Sequence, residues 1–186
     1  MNDTLKCIEE RFSCRDFTNQ MPTDEQLNAI AQAAIQAPSG INRQPCQVIV
    51  VKNKALIDEM EQEGMKNIKT NDEATYQRLM SRNGTLFYHA PCLFIIGVDK
   101  VNPSGMEMID MGILVENAVL AAGSLGISSL ICGLIRFAFS GDKAAEFKKR
   151  LSMPEGYECG IAVLFGYAKE VKAPHVPNQN KITFIS

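Results

Sequence analysis

An α+β fold is what this 186-residue sequence predicts. Three observations carry the prediction. Apolar residues recur at helical spacing in several segments, and apolar runs of strand length occur at QVIVVK, at CLFIIGV and between Tyr157 and Tyr167. The two kinds of element also follow one another without the regular β-α-β-α alternation that a doubly wound sheet requires.

A short helix is predicted over Thr4 to Arg11. The second helix is better marked: Thr23 and Gln26 form a capping-box pattern after Pro22. Leu27, Ile30, Ala31, Ala34 and Ile35 then fall at i, i+3, i+4, i+7 and i+8, one apolar face. Pro38 closes the segment, because the residue before a proline avoids helical geometry. Gln47 to Lys52 reads as a buried strand. Lys54 to about Arg82 is polar and helix-prone, with Gly64 as the expected break. Cys92 to Val98 is a second buried strand. Asp110 to Leu125 is the longest apolar helix, apolar nearly all round, so its own core or a second subunit must cover most of its sides. Ser140 to Leu151 follows as an amphipathic helix with Ser140 as its cap. Tyr157 to Tyr167 is a third strand, and Lys181 to Ile185 (KITFI) a short strand-like tail.

The length suits one domain over residues 1–186. Nineteen basic and 21 acidic residues give a net charge of -2, dispersed along the chain. That argues against a nucleic-acid binder, which shows a basic face or stripe. No apolar run reaches transmembrane length, and the start, MNDTLKCIEERFSCRDF, is too polar for a signal peptide. Six cysteines without a C-x-x-C pair, and only two histidines, give poor material for a zinc site. The expectation is a reducing, cytoplasmic setting without a disulfide framework.

The common catalytic motifs are missing. No G-x-G-x-x-G follows a strand, and there is no phosphate loop, H-E-x-x-H or G-x-S-x-G. Nothing in the sequence brings a particular cysteine to His89 or His175. What is present is polar and cationic. RFSCRDF places Arg11, Ser13 and Arg15 at alternating positions, where two guanidiniums and a hydroxyl suit an anionic group. A solvated basic turn is the plainer alternative. The loop APSGINRQPCQ carries Ser39, Asn42, Arg43 and Gln44 between two prolines. These side chains can meet a ligand, or they can satisfy their own backbone in a capped turn.

Taken together, RFSCRDF, APSGINRQPCQVIVV, NGTLFYHAPCLFIIGV, DMGILVENAVLAAGSLGISS and PNQNKITFI resemble the FMN-dependent nitroreductase family, in its order and across most of the chain. The resemblance implies a central, mostly antiparallel sheet flanked by helices, in an intertwined homodimer that binds FMN at its interface. It implies that NADH or NADPH reduces the flavin, which then reduces a nitroaromatic, quinone or similar small-molecule acceptor in a ping-pong cycle. A flavin- or ligand-binding protein without nicotinamide turnover is the alternative on the same scaffold.

By position, Arg11, Phe12 and Ser13 match the segment holding the FMN phosphate, and Arg15 the basic residue near the pyrimidine edge of the ring. Pro38, Ser39, Gly40, Asn42 and Gln44 match the loop that closes over the cofactor from the partner subunit. Asn83 matches an asparagine facing the ring, Cys132 and Gly133 the backbone near flavin N5, and Lys181 a phosphate ligand. The tail offers Lys181 and Gln179 where many relatives have two basic residues. Arg43 has no assigned role, and Cys132 reads as a small residue in a tight loop rather than a redox thiol. The flavin performs the chemistry, so no catalytic side chain is required.

Overall fold

The computed structural model describes residues 2–82 and 84–185. Helix α1 (Asp3–Glu10) starts at Asn2, whose side chain accepts from the Leu5 N–H at 3.0 Å. Helix α2 (Asp24–Ile35) has the predicted capping box: Thr23 Oγ1 accepts from Gln26 N–H at 3.2 Å, and Gln26 Oε1 from Thr23 N–H at 2.9 Å. Two orphan amides of the first turn are thereby satisfied, and Leu27, Ile30 and Ala34 are buried.

Four strands, β1 (Cys46–Val51), β2 (Cys92–Asp99), β3 (Ser128–Cys132) and β4 (Tyr157–Gly166), form one antiparallel sheet in the order β1-β2-β4-β3. Both faces are covered. Along β2, Leu93 and Ile95 enter a core that includes Ile57 and Met60 of helix α3 (Lys54–Asn71). Cys92, Phe94, Ile96 and Val98 enter a second core with α2 and helix α5 (Glu107–Ser124). Alternate residues thus serve opposite cores, which explains why β2 is apolar without interruption. Phe94 and Phe165 meet edge to face there, with ring centroids 4.8 Å apart.

Several expectations are corrected. Gly64 does not break its helix: α3 runs through it, and the break falls at Asp72, whose side chain accepts from the Thr75 N–H at 3.0 Å and caps helix α4 (Glu73–Met80). Gly64 serves close packing instead, since a Cβ there would lie 2.6 Å from Leu86 Cδ2. Strand β3 was not expected. Helix α5 starts at Glu107 rather than Asp110. Ser140 caps nothing in helix α6 (Ala144–Arg150); its hydroxyl donates to the Phe137 carbonyl at 3.0 Å, closing the 3-10 run Gly133–Phe139. The KITFI tail forms no strand among the described residues. Gln179–Lys181 make a 3-10 turn, and Phe184 and Ile185 beyond it are each 91% exposed.

Helix α5 is not covered on every side. Met108, Ile109 and Ile113 are exposed on it, as are Leu5 and Ile8 on the contacting α1. No helix among the described residues is long and apolar enough to cross a membrane.

Candidate active site

The segment after α1 is held against the sheet. Ser13 pairs in parallel with Ser129 of the edge strand β3, and the Cys14 N–H donates to the Ser129 carbonyl at 2.9 Å. The Phe17 N–H donates to the Tyr88 carbonyl at 3.1 Å, and Cys14 and Phe17 are buried. With these two residues turned inward, Arg11, Phe12, Ser13 and Arg15 line one cleft of about 300 Å³ together with Lys172, Ala173 and His175. The alternation read from RFSCRDF therefore does gather both arginines and the serine.

Two clefts adjoin it through Arg15. One, of about 500 Å³, is lined by Phe12, Arg15, Asp16, Arg82, Tyr88, Glu170 and Lys172. In its wall the Asp16 carboxylate accepts from Lys169 Nζ at 2.8 Å and lies 3.4 Å from His89 Nδ1. The Lys169 hydrogen bond above all, with the His89 contact, holds that carboxyl below its ordinary value. The other, of about 280 Å³, runs along Leu130 to Leu134 and is walled by Arg15, Arg78, Leu79, Arg82 and Tyr88. Here β3 ends at Cys132 and the chain turns into the 3-10 run. Among the described residues beyond its chain neighbours, nothing lies within 4 Å of the place a Gly133 Cβ would occupy, so the backbone is open to an approaching ligand. The Cys132 thiol is different. It is 4% exposed, its Sγ lies 3.8 Å from the Leu86 carbonyl, and burial pushes it up to about 11. At neutral pH it is a protonated packing group, not a nucleophile.

The polar loop lies apart from these clefts. Pro38, Ser39 and Gln44 line a hollow of about 190 Å³ with Ile35, Cys46, Asp110 and Leu114. Within the single chain the loop largely bonds to itself. Ser39 Oγ accepts from Gln44 N–H at 2.9 Å, and Gln44 Nε2 donates to Asn42 Oδ1 at 3.0 Å. Arg43, unassigned by sequence, donates to the Asn102 carbonyl. The Gly40 N–H donates to Asp110 Oδ1 at 3.0 Å. Ile41, Asn42 and Gln44 hold φ of 48°, 56° and 52°, a left-handed geometry that non-glycine residues adopt only under constraint.

Of the remaining candidates, Lys181 lines none of the arginine clefts, and Asn83 lies outside the described residues. Sequence reasoning missed Arg78, Arg82, Lys172 and Asp110. Arg78 and Arg82 carried a signal in their i, i+4 spacing at a helix end; for Lys172 the sequence offers none.

The fold and site define an α+β protein with a basic, ligand-sized depression beside the edge strand β3 and a constrained polar loop set away from it. The chain belongs to the nitroreductase family, whose model matches residues 8–167. It is similar to a nitroreductase with bound FMN from Desulfitobacterium hafniense DCB-2, at 53% identity and a TM-score of 0.96, with 100% of both chains covered. It is similar to a second nitroreductase with bound FMN, from Bacteroides fragilis NCTC 9343, at 25% identity and a TM-score of 0.89, again over 100% of both. The NADPH-flavin oxidoreductase of Vibrio harveyi is 29% identical over 173 residues, 89% of this chain and 64% of that enzyme. The family and the antiparallel α+β fold read from the sequence are thereby borne out.

Proposed function

We propose that this chain is an FMN-dependent oxidoreductase of the nitroreductase type, folding as one unit over residues 1–186 and working as a cytoplasmic homodimer. The observation that carries the reading is that two clefts adjoin at Arg15, one lined by Arg11 and Ser13 and the other by the open Cys132–Gly133 turn, in a chain 53% identical to an FMN-bound nitroreductase.

The residues present suit the cofactor. Arg11 and Ser13 offer a guanidinium fork and a hydroxyl to its phosphate. Arg15 sets a fixed positive charge where negative charge builds on the reduced ring, which is the protein's lever on redox potential. Gly133, without a side chain, would let the backbone approach the ring closely. Phe12 lines the same cleft as Arg11 and Ser13; Asn83 and Lys181 remain candidates by position, Lys181 from outside its own chain's arginine clefts. Bound FMN supplies the redox chemistry, accepting hydride from NADH or NADPH and passing electrons to a nitroaromatic, quinone or similar acceptor in alternate half-reactions.

In this reading Pro38, Ser39, Gly40, Asn42 and Gln44 fasten the cofactor of the other subunit, which explains their separation from Arg11 and Arg15 within one chain. The exposed Met108, Ile109 and Ile113 of α5, with Leu5 and Ile8 of α1, are the surface such a dimer buries. The exposed Phe184 and Ile185 are covered by the partner. The free cysteines, partly or wholly buried, suit a reducing compartment.

The test is direct. On this reading the purified protein should be yellow, should release stoichiometric FMN on heating, and should be bleached by NADH or NADPH in anaerobic stopped flow. A colourless protein that binds no added FMN overturns the assignment. Flavin that neither nicotinamide bleaches leaves the binding-protein alternative instead.

A further inference from the structure

We propose that Arg78 and Arg82, at the end of α4, form an anion subsite that selects reactants bearing a carboxylate or phosphate; this rests on the FMN reading above. The cleft along Leu130 to Leu134 holds Arg15, Arg78 and Arg82, three of the seven arginines of a chain whose net charge is -2. No carboxylate among the described residues lines it, although Arg15 and Arg82 also border the adjoining cleft that holds Asp16 and Glu170. The rest of the wall is Leu79, Tyr88, Leu130, Ile131 and Leu134, which suits a flat organic ring.

Neither the Arg78 nor the Arg82 guanidinium is consumed by an ion pair among the described residues; Arg78 lies in the last turn of α4 and Arg82 in the turn just beyond it. Arg78 NH2 donates to the Thr75 hydroxyl at 3.1 Å and forms no ion pair among the described residues. Its acidic neighbour Asp72 caps α4, and the Thr75 N–H above all, with the Arg78 charge, holds that carboxyl below its ordinary value. The Arg82 guanidinium makes no hydrogen bond or ion pair among the described residues, although its backbone N–H donates to the Leu79 carbonyl. Arg150, by contrast, is held in ion pairs, meeting Glu59 at 2.6 Å and Glu146 at 3.0 Å. The cofactor does not account for Arg78 and Arg82 either, since Arg11, Ser13 and Arg15 serve it.

A plainer role exists: cations in the last turn of a helix favour its dipole. That role is indifferent to the charge of a reactant, so a charge-matched pair of reactants separates the two. Two sources can supply the anion, a carboxylate on the acceptor or the phosphates of the nicotinamide donor. Both meet a guanidinium fork in the same way.

The experiment uses FMN-loaded protein and the double variants Arg78→Gln/Arg82→Gln and Arg78→Lys/Arg82→Lys. Acceptor selectivity is the ratio of kcat/KM for 4-nitrobenzoate to that for 4-nitrobenzamide. Donor selectivity is read from the KM of NADH and of NADPH with 4-nitrobenzamide as acceptor. A parallel titration of 4-nitrobenzoate against the oxidised holoprotein, followed by flavin absorbance, gives affinity without turnover. The expected result is a loss of about tenfold or more in acceptor selectivity and in 4-nitrobenzoate affinity for the glutamine pair, the scale of losing charge-assisted hydrogen bonds. The lysine pair restores most of it. If acceptor selectivity holds while donor KM rises by that factor, the anion is the donor's phosphate. If the glutamine pair changes neither, the anion subsite is overturned while the yellow, nicotinamide-bleached protein keeps its function. A wild type that binds no FMN overturns both readings together.

Discussion

Replacing Asp110 by alanine should unlatch the loop at residues 39–44 while leaving the stability of the whole chain nearly unchanged. Asp110 sits in the first turn of α5 and is 5% exposed. Its Oδ1 accepts from the Gly40 N–H at 3.0 Å, and its Oδ2 is buried with no partner among the described residues. A hydrogen bond to a charged group contributes roughly 1.5–3 kcal/mol. Against that loss, alanine also removes a buried carboxylate oxygen without a partner, a burden of about 1–3 kcal/mol. The two terms nearly cancel in global unfolding. Locally they do not cancel, because the amide that loses its acceptor belongs to the loop. Three residues there hold positive φ, each costing on the order of 1 kcal/mol, so a released loop relaxes. Amide hydrogen exchange across residues 38–46 should therefore quicken by about 10- to 100-fold in Asp110→Ala, the exchange equivalent of roughly 1.5–3 kcal/mol. Asp110→Asn, which keeps a neutral acceptor at Oδ1, should fall between. Unchanged exchange in the loop would refute the latch. Faster exchange spread evenly over the chain would show that Asp110 stabilises the whole fold instead.

Two further outcomes follow from the geometry. The Ser104 backbone N–H above all, with the Ser104 hydroxyl at 2.8 Å and the Gly105 N–H at 3.1 Å, holds the Glu107 carboxyl at about 2, below its ordinary 4.5. A depressed carboxyl stabilises the fold fully above about pH 4.5 and loses that contribution as pH falls toward 2. The gap in urea midpoint between wild type and Glu107→Gln should accordingly be widest near neutrality and close over that acid window; a gap independent of pH would count against it. Gly160→Ala in β4 should destabilise by about 1–3 kcal/mol, because its Cβ would lie 2.5 Å from Met111 Sδ, 2.7 Å from Val98 Cγ2 and 3.4 Å from the Ile96 carbonyl. A urea midpoint equal to that of wild type would show that the α5 packing gives way freely.

What the sequence reveals depends on whether the cause is local. The α2 start was legible because a capping box is made within four residues. Strands β1, β2 and β4 were legible because burial on both faces writes continuous apolar runs. Strand β3 (SSLIC) was not, because it is only five residues long, follows the apolar helix by three residues and becomes a strand through β4 and Ser13. The Gly64 break failed for a related reason. Glycine inside a helix costs about 1 kcal/mol, but the approach of Leu86 forbids anything larger. The segment KITFI has the composition of a strand, and within one chain it has no strand to pair with.

The candidate site divides along the same line. Arg11, Ser13 and Arg15 lie within five residues, so their spacing exposed them. Arg78 and Arg82 looked like part of a solvated helix, and tertiary placement alone puts them beside Cys132 and Gly133. The loop at 38–44 is the strongest case. Its self-satisfied bonds and left-handed residues give it a fixed shape in advance of any ligand, yet it lines a hollow separate from the arginine clefts. A loop held in strained geometry that contacts none of its own chain's arginine clefts needs a reason outside the single chain. In the proposed dimer that reason is the partner's cofactor. In that dimer the Asp110 latch would be the link by which α5, whose exposed Met108, Ile109 and Ile113 would face the second subunit, fixes the position of the loop that would cross with it.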